Sequence, residues 1–313
     1  MLQPFIAASA VAAAALPTAP ASRAATMRSI ERQWATIQYR AARALGADGY
    51  ALDSIKRPVS ILGGSHKTEV AEGASGALVA ISYLAPGAML ARFAGIDVSA
   101  APTLCAMAAL NDCESGCLGG DNGRGQLSFA TGSVRMSQLG RTVLLLGAPA
   151  LFAALLSADC KRHAVKAEKQ GKRAFVRLDG TSDIGMASGA LETLRGYGVY
   201  PYDYTKLPGR ASNNAGRYPV TFSATPRTLR AAKSVLDAGG SIAVVIGAKK
   251  GAAAHARTLS VLSALATATG STFIEGDESE PLELEPRTIR CLTAKAGSNK
   301  AFRALVESGL VFA

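Results

Sequence analysis

Short apolar runs rich in β-branched and aromatic residues recur along this chain, and glycine turns and helical segments separate them. Runs of this kind form strands buried on both faces, so their alternation with helices is typical of parallel βαβ units. Long helical segments are predicted at 134–170 and 227–238. The predicted strands are ALVAISYL (77–84), AFVRL (174–178), VYPYDY (199–204), YPVTFS (218–223), SIAVVIG (241–247), TFIEG (272–276) and TIRCLTA (288–294).

So many such strands in one domain predict an α/β fold, a single complete or partial (βα) TIM-like barrel. An open Rossmann sheet is less favoured, because no G-x-G-x-x-G follows the first strand, and the P-loop pattern G-x-x-x-x-G-K-[ST] is also absent. The chain has 313 residues, 49% of them hydrophobic, which suffices for one large barrel or for two smaller domains.

The sequence before the barrel is of a different kind. Residues 1–26 are rich in alanine and proline, and we predict a disordered tail or an over-extended start. A secretory signal is the alternative, although no Lys or Arg precedes the apolar stretch. Residues 27–55 are predicted to form a helical extension with Ile30, Trp34 and Ile37 on one face. The barrel domain is then assigned to residues 56–313.

Three of the five cysteines, Cys105, Cys113 and Cys117, lie within thirteen residues, in a glycine-rich loop after the predicted strand 77–84. Thiolates this close together can bind one metal ion, such as zinc, or one iron–sulfur cluster. Alternatively, the cysteines only pack as small apolar residues. Their odd number and spacing do not resemble a secreted disulfide framework, so we expect reduced cysteines in a cytosol. Outside the N-terminus no apolar run is long enough for a membrane span.

Polar residues follow the carboxyl ends of the predicted strands. In a (βα) barrel these ends share one face, where the active site lies. Asp203 and Lys206 lie in one turn, where each can keep the other ionised and either can act as acid or base. Taken singly, each aspartate is more often a turn or capping residue, and Asp183 is a good N-cap candidate. The candidate catalytic residues are Asp183, Asp203, Lys206, Asp277 and Lys295.

Other residues of the same loops are candidates for binding a substrate or cofactor. Gly180 would let a ligand approach the backbone closely. The planar guanidinium group of Arg124, with its fork of N–H donors, suits a phosphate or a carboxylate. The net charge of +11 favours a nucleic acid or nucleotide partner, unless the excess cations are simply scattered over solvated helices. With three histidines and no H-E-x-x-H, hydrolysis at a histidine-bound metal is disfavoured. The candidate binding residues are Arg124, Gly180, Thr181, Ser182, Tyr204 and Ser223.

Several segments occur in an order that resembles an uncharacterised bacteriophage family typified by a mycobacteriophage gene-88 product. The resemblance covers roughly residues 59–313 and implies phage or prophage origin, hence the cytoplasm of a bacterial host. Asp179 departs from the family pattern, which has asparagine there, and Glu275 and Glu280 replace the first and last aspartates of its DGDESD segment. The segments are LCAMAALNDCESGCLGGDNGRG, VRLDGTSDI, YPYDYTKLPGR, YPVTFSATP, SIAVVIG, FIEGDESE and LTAKAG.

The resemblance implies that the family's motif positions fall on residues of the cysteine loop and of the strand ends. They are Cys105, Cys113, Cys117, Gly123, Arg124, Arg177, Gly180, Thr181, Ser182, Asp183, Asp203, Tyr204, Thr205, Lys206, Ser223, Gly276, Asp277, Lys295 and Gly297.

At the level of fold the chain is also similar to radical S-adenosylmethionine enzymes. These are partial or full (βα) barrels with three cysteines after the first strand and a glycine-rich acidic motif after the second. The similarity implies an iron–sulfur cluster with one open iron and S-adenosylmethionine as a cofactor. The spacing here, C-x7-C-x3-C, departs from the C-x3-C-x2-C of those enzymes, and the similarity is one of fold and motif order.

Three functions are compatible with these observations. The favoured one is a metal- or iron–sulfur-binding barrel enzyme that acts on nucleic acid or nucleotides. The second is a non-catalytic nucleic-acid-binding phage protein, for instance in replication, with a structural zinc held by the cysteines. The third is a degenerate barrel in which the cysteines only pack.

Overall fold

The computed structural model describes residues 15–64, 76–98, 103–105, 107, 132–247, 253–277, 279–294, 302–303 and 306–312. The chain divides into two compact units, each with its own sheet. The first unit contains Met1–Ala106 and Ser128–Pro201, and the second contains Met107–Leu127 and Tyr202–Ala313.

The described sheet of the first unit has the strand order β1-β2-β3-β4. Its strands are β1 (Leu62–Gly63), β2 (Ala77–Ser82), β3 (Arg173–Arg177) and β4 (Tyr200–Pro201). β1 pairs antiparallel with β2, whereas β2, β3 and β4 are parallel. Every residue of β2 is buried, as its uninterrupted apolar sequence predicts for a strand covered on both faces.

The described part of the first unit also contains helices, of which the fourth and the sixth pack against the strands. They are α1 (Arg23–Ala44), α2 (Gly87–Ala94), α3 (Gly132–Gly147), α4 (Pro149–Lys169), α5 (Met186–Gly189) and α6 (Leu191–Gly196). The long helix predicted at 134–170 is two helices, because Pro149 lacks an N–H and disfavours helical geometry in the residue before it. That residue, Ala148, has φ −155° and ψ 69°.

The first helix starts earlier than the predicted extension, and Ser22 caps it by accepting a hydrogen bond from Ala25 N at 3.4 Å. The residues around this start contact α4: Arg23 Nε lies 3.3 Å from Asp159 Oδ1, and Ala21 N donates to Ser157 Oγ at 3.1 Å. Residues 21–23 therefore pack against the folded unit. The domain boundaries at 26 and 55 stay predictions.

In the second unit the described sheet is parallel throughout and has the order β5-β6-β7-β9-β8. The strands are β5 (Asp203–Thr205), β6 (Val220–Ala224), β7 (Ser241–Ile246), β8 (Thr272–Glu275) and β9 (Thr288–Thr293). Its helices are α7 (Pro208–Asn214), α8 (Leu229–Asp237), which follows the 3-10 turn Pro226–Thr228, and α9 (Ala253–Thr269). Phe222, Ile242, Val244 and Ile289 form the centre of its core.

The α/β class with parallel strands is confirmed, and a complete (βα) barrel stays a prediction. One predicted strand differs: VYPYDY forms two short strands, β4 and β5, that belong to different sheets, with Tyr202 between them. In the described part of the chain, no helix is both long and apolar enough to cross a membrane.

Candidate functional site

The loop after β3 is shaped by one buried carboxylate, that of Asp179. This side chain accepts hydrogen bonds from Ser182 Oγ at 2.8 Å, Gly185 N at 2.9 Å and Ile184 N at 3.3 Å. Helix α5 begins directly after this loop, and its N-cap is Gly185 with φ 77°, so the prediction that Asp183 caps the helix is wrong. Asp179 stabilises the start of the helix instead, because its two carboxylate oxygens accept hydrogen bonds from Ile184 N and Gly185 N, which precede the first turn.

Gly180 and Thr181 attach the same loop to the end of β2. Gly180 N donates to Ser82 O at 3.0 Å, and Thr181 Oγ1 donates to Leu84 O at 2.6 Å. A Cβ atom on Gly180 would lie 2.5 Å from Ser82 O, so any larger residue would push two backbones apart. The glycine of this motif therefore permits the close approach of two chain segments.

The cysteine loop begins at this position. Cys105 and Asp183 form a parallel β-bridge, and Asp183 N donates to Leu104 O at 3.0 Å. Cys105 is half-buried and Asp183 is buried, so a thiol and a carboxylate predicted to act together lie on paired backbones. Of the remaining predicted site residues, Cys113, Cys117, Arg124 and Lys295 lie outside the described residues.

Buried polar atoms without partners lie on β2 and α3. The hydroxyl of Ser82, at the last position of β2, and both amide atoms of Gln138 in α3 have no hydrogen-bond partner in the part of the chain that the structure describes. Burying such a group without a partner is unfavourable, so each unsatisfied atom needs an explanation. Sequence reasoning missed Ser82, because a serine within an apolar run is indistinguishable from an ordinary buried serine of a strand.

A second group of predicted residues lies in the second unit, at the end of β5. Asp203 is fully buried and accepts a 2.7 Å hydrogen bond from Arg210 Nη2, whose side chain is 7% exposed. Lys206 Nζ donates to the backbone oxygen of Ser223 at 2.9 Å and so joins the end of β5 to β6. Sequence reasoning missed Arg210, although the residue stands in the YPYDYTKLPGR segment.

The last described candidates lie at strand ends of the same unit. Asp277 follows β8, and its Oδ2 accepts from Thr293 N at 3.0 Å, at the end of β9. Tyr204 is half-buried within β5. Sequence reasoning also missed Arg290, a buried residue of β9 whose Nη2 lies 2.7 Å from both carboxylate oxygens of Glu285. Through this one nitrogen, which donates to both oxygens, Arg290 fixes the loop between β8 and β9, which is a structural role.

The sequence model of the Gene product 88 family matches residues 61–308, which is more than half of the chain. The chain belongs to the Gene product 88 family. The predicted phage gene-88 membership is thereby confirmed. The match includes the cysteine loop, the Asp179 loop and the β5 end, and α1 lies outside it. A comparison with curated proteins and one with solved structures each found no match.

The two cysteines outside the loop are poor ligands or nucleophiles in this Gene product 88 family member. Burial raises the pKa of the Cys160 thiol far above its usual range, and the carboxylate of Asp159 adds to this. Burial also raises the pKa of Cys291 to about 11, with a further contribution from Glu275. Because the thiolate is the reactive and metal-binding form, both groups are inert at neutral pH.

The predicted metal site needs Cys105, Cys113 and Cys117, and two of them, Cys113 and Cys117, lie outside the residues that the structure describes. Among the residues that the structure describes, no group of three or more His, Cys, Asp or Glu side chains is arranged to hold a metal ion. Cys105 is the one cysteine of the predicted set that is described, and the metal site therefore stays a prediction.

Proposed function

We propose that this chain is a metal- or iron–sulfur-binding (βα)-barrel enzyme that acts on nucleic acid or nucleotides in the cytoplasm of a bacterial host. The observation that carries the proposal is the backbone pairing of Cys105 with Asp183. It ties the start of the cysteine loop to the carboxyl end of β3, which is the end where α/β proteins carry their sites. The unsatisfied hydroxyl of Ser82 at the end of β2 supports a polar ligand nearby.

The donor set fits a thiophilic metal. Cys105, Cys113 and Cys117 would hold zinc or an iron–sulfur cluster through their thiolates and leave one coordination position open. When bound, a cluster would supply one-electron chemistry together with S-adenosylmethionine as cofactor, whereas zinc would supply Lewis acidity.

The remaining candidates would bind substrate and transfer protons. The hydroxyl hydrogens of Thr181 and Ser182 are donated to Leu84 O and to Asp179 Oδ1, so these side chains would offer their hydroxyl oxygens to a ligand as hydrogen-bond acceptors. Arg124 would bind a phosphate through its planar fork, with Gly180, Tyr204 and Ser223 as further contacts. Proton transfer would fall to the candidate acids and bases Asp183, Asp203, Lys206, Asp277 and Lys295.

Purification under nitrogen, followed by measurement of iron, acid-labile sulfide and zinc, tests the metal site. The proposal predicts a stoichiometric metal that is lost in Cys113→Ala and kept in Cys291→Ala, a matched cysteine outside the loop. A wild-type protein that is free of metal, or equal metal content in both variants, contradicts the proposal.

A second function is favoured by a different observation, the bonding of the motif side chains themselves. Asp179, Thr181, Lys206 and Arg210 all hold neighbouring backbone or side chains in place, as structural residues do. This supports a non-catalytic nucleic-acid-binding protein, for instance in phage replication, in which the cysteines hold a structural zinc. Salt-dependent binding of DNA or RNA that survives Asp203→Asn and Lys206→Gln, without any turnover, would favour this second function.

A further inference from the structure

The carboxyl-terminal half of α4 carries an exposed row of cations. Arg162, Lys166 and Lys169 follow one another at spacings of four and three residues, so they lie along one face of the helix. Lys161 is also exposed, and Lys172 is half-buried just beyond the helix end. Between 161 and 173 the one acidic residue is Glu168.

Neighbouring residues of α4 contact the sheet and the turn before β4, whereas the side chains of the row are exposed. His163 Nε2 lies 3.0 Å from Leu78 O and 3.1 Å from Phe175 O, and since carbonyl oxygens only accept, this nitrogen carries a proton. A Cβ atom built on Gly198 would lie 3.3 Å from Ala164 Cβ, so the turn before β4 packs against the same side of α4.

The positive charge of the row is poorly compensated. Lys161, Lys166, Lys169 and Lys172 form no ion pair with any residue in the described ranges, and Arg162 pairs with Asp159 at 3.2 Å. Neighbouring cations on a helix repel one another, and the negative end of the helix dipole offsets part of this repulsion for Lys166 and Lys169 in the last turn. A polyanion would relieve this repulsion and release counterions on binding.

Four residues after Lys169, Arg173 contacts two aromatic rings, of which that of Phe175 is buried and that of Tyr200 is exposed. The Arg173 guanidinium carbon lies 4.9 Å from the centroid of the Phe175 ring and 4.7 Å from that of Tyr200. Tyr200 is 42% exposed although it belongs to a strand. Exposed aromatic rings beside arginine are the surfaces on which unpaired bases stack in proteins that bind single strands.

The geometry points to a docking surface for single-stranded nucleic acid on the outer face of α4 and the start of β3, with the lysines on phosphates and Tyr200 with Arg173 beneath a base. The Cβ atoms of Lys166 and Lys169, which are one helical turn apart, lie about 5–6 Å from each other, so the two side chains can reach successive phosphates of one strand. This basic surface lies at the amino end of β3, whereas Cys105 pairs with Asp183 beyond its carboxyl end. The five residues of β3 span roughly 16 Å, so the basic surface and the pairing of Cys105 with Asp183 lie about that far apart along the sheet.

This inference rests on the nucleic-acid part of the proposed function. Its test is fluorescence anisotropy of the full chain with labelled single-stranded DNA and RNA oligonucleotides, over a range of salt concentrations. The test variant is Lys166→Glu/Lys169→Glu. The control is Arg230→Glu/Lys233→Glu on α8, two exposed cations with the same spacing and the same change in net charge, from +11 to 11 − 4 = +7.

We expect the α4 variant to bind at least about tenfold more weakly, with the slope of log affinity against log salt reduced by about 1.4, while the α8 control changes by less than about threefold. Tyr200→Ala should weaken single-strand binding about tenfold and leave duplex binding nearly unchanged. Lys166→Gln/Lys169→Gln, with thermal melts of every variant, separates lost binding from lost folding.

Other outcomes overturn the inference. Equal losses in the α4 variant and the α8 control would mean that net charge alone drives binding, and an unaffected α4 variant would place the nucleic acid elsewhere. Binding to vesicles that contain phosphatidylserine, without binding to oligonucleotides, would assign the surface to a membrane. If the wild type binds no nucleic acid at all, the nucleic-acid part of the proposed function fails as well; if it binds and the α4 variant matches it, this surface alone fails.

Discussion

The backbones of Cys105 and Asp183 pair as a parallel bridge although the two residues are 183 − 105 = 78 positions apart in the chain. Asp183 N donates to Leu104 O at 3.0 Å, so the pairing fixes where the cysteine loop begins. The acidic loop that meets it is itself held by Asp179 and by the end of β2. The two most distinctive motifs of the sequence are thereby joined at one strand end.

Asp179 organises this loop, so its removal should destabilise the fold. Asp179→Ala leaves three donors without their acceptor, and we expect a loss of about 3 kcal/mol in the free energy of unfolding, measured with urea. Asp179→Asn keeps an oxygen acceptor and should cost about 1 kcal/mol. Equal losses for the two variants would show that hydrogen bonding by this side chain is not what holds the loop.

Gly180→Ala tests the close approach of the loop to β2. The new methyl group would lie 2.5 Å from Ser82 O and 2.6 Å from Ile81 Cγ2, so we expect a loss of about 2–3 kcal/mol. Gly189→Ala is the control, because open space surrounds that helical glycine, and it should be neutral or stabilising by about 0.5 kcal/mol. Chemical unfolding of both variants checks this, and a tolerated Gly180→Ala would refute the proposed packing constraint.

Ser82→Ala removes a buried hydroxyl that has no partner among the described residues. In ligand-free protein we expect the melting temperature to rise or stay unchanged, corresponding to a gain of up to about 1 kcal/mol. The control Ser157→Ala removes a hydroxyl that donates to Ala154 O at 2.8 Å and should cost about 1 kcal/mol. A marked loss of stability in Ser82→Ala would mean that its hydroxyl is already satisfied.

The buried ion pair at the end of β5 should matter far more than a surface pair. Arg210→Met removes the 2.7 Å partner of a fully buried carboxylate, and we expect a loss of about 3 kcal/mol in the free energy of unfolding. Arg195→Met breaks an exposed pair with Glu192 and should cost less than about 0.5 kcal/mol. Similar costs in both variants would argue that Asp203 is well solvated or otherwise compensated.

Because the Cys291 thiol is partly buried, we expect the free energy of unfolding to fall at alkaline pH. The pKa of this thiol is about 11 in the folded chain against an ordinary value of 9.0, because burial and then Glu275 disfavour the thiolate. A folded pKa above the unfolded one stabilises the protein fully below about pH 9, and this contribution is lost as pH rises towards about 11. Unfolding across this range should show a shallower decline for Cys291→Ala than for the wild type. Parallel curves would mean that the thiol ionises alike in both states.

Most strands could be predicted from the sequence because their signal is local. Apart from VYPYDY, each predicted run forms one strand, and the ends of β2, β3 and β7 lie within two residues of prediction. The VYPYDY run was misread, since its composition contains no sign that Tyr202 separates strands of two sheets. The break of the long helix at Pro149 could have been predicted, because proline at a first helical turn marks a start.

The site was predictable only in part. The polar strand ends identified Asp183 and Asp203, but not their partners. The pairing of Cys105 with Asp183 and the salt bridge from Arg210 depend on tertiary folding, which no periodicity encodes. Asp179 appeared in sequence as a departure from a family pattern, and only its three bonds to Ser182, Ile184 and Gly185 explain what it does.

X-ray absorption at the metal edge of anaerobically purified protein tests the central claim most directly. The account predicts a shell of at least three sulfur atoms at about 2.3 Å, which loses one sulfur or disappears in Cys105→Ala and is unchanged in Cys291→Ala. A shell of oxygen and nitrogen atoms alone, or a sulfur shell that Cys105→Ala leaves intact, would contradict it.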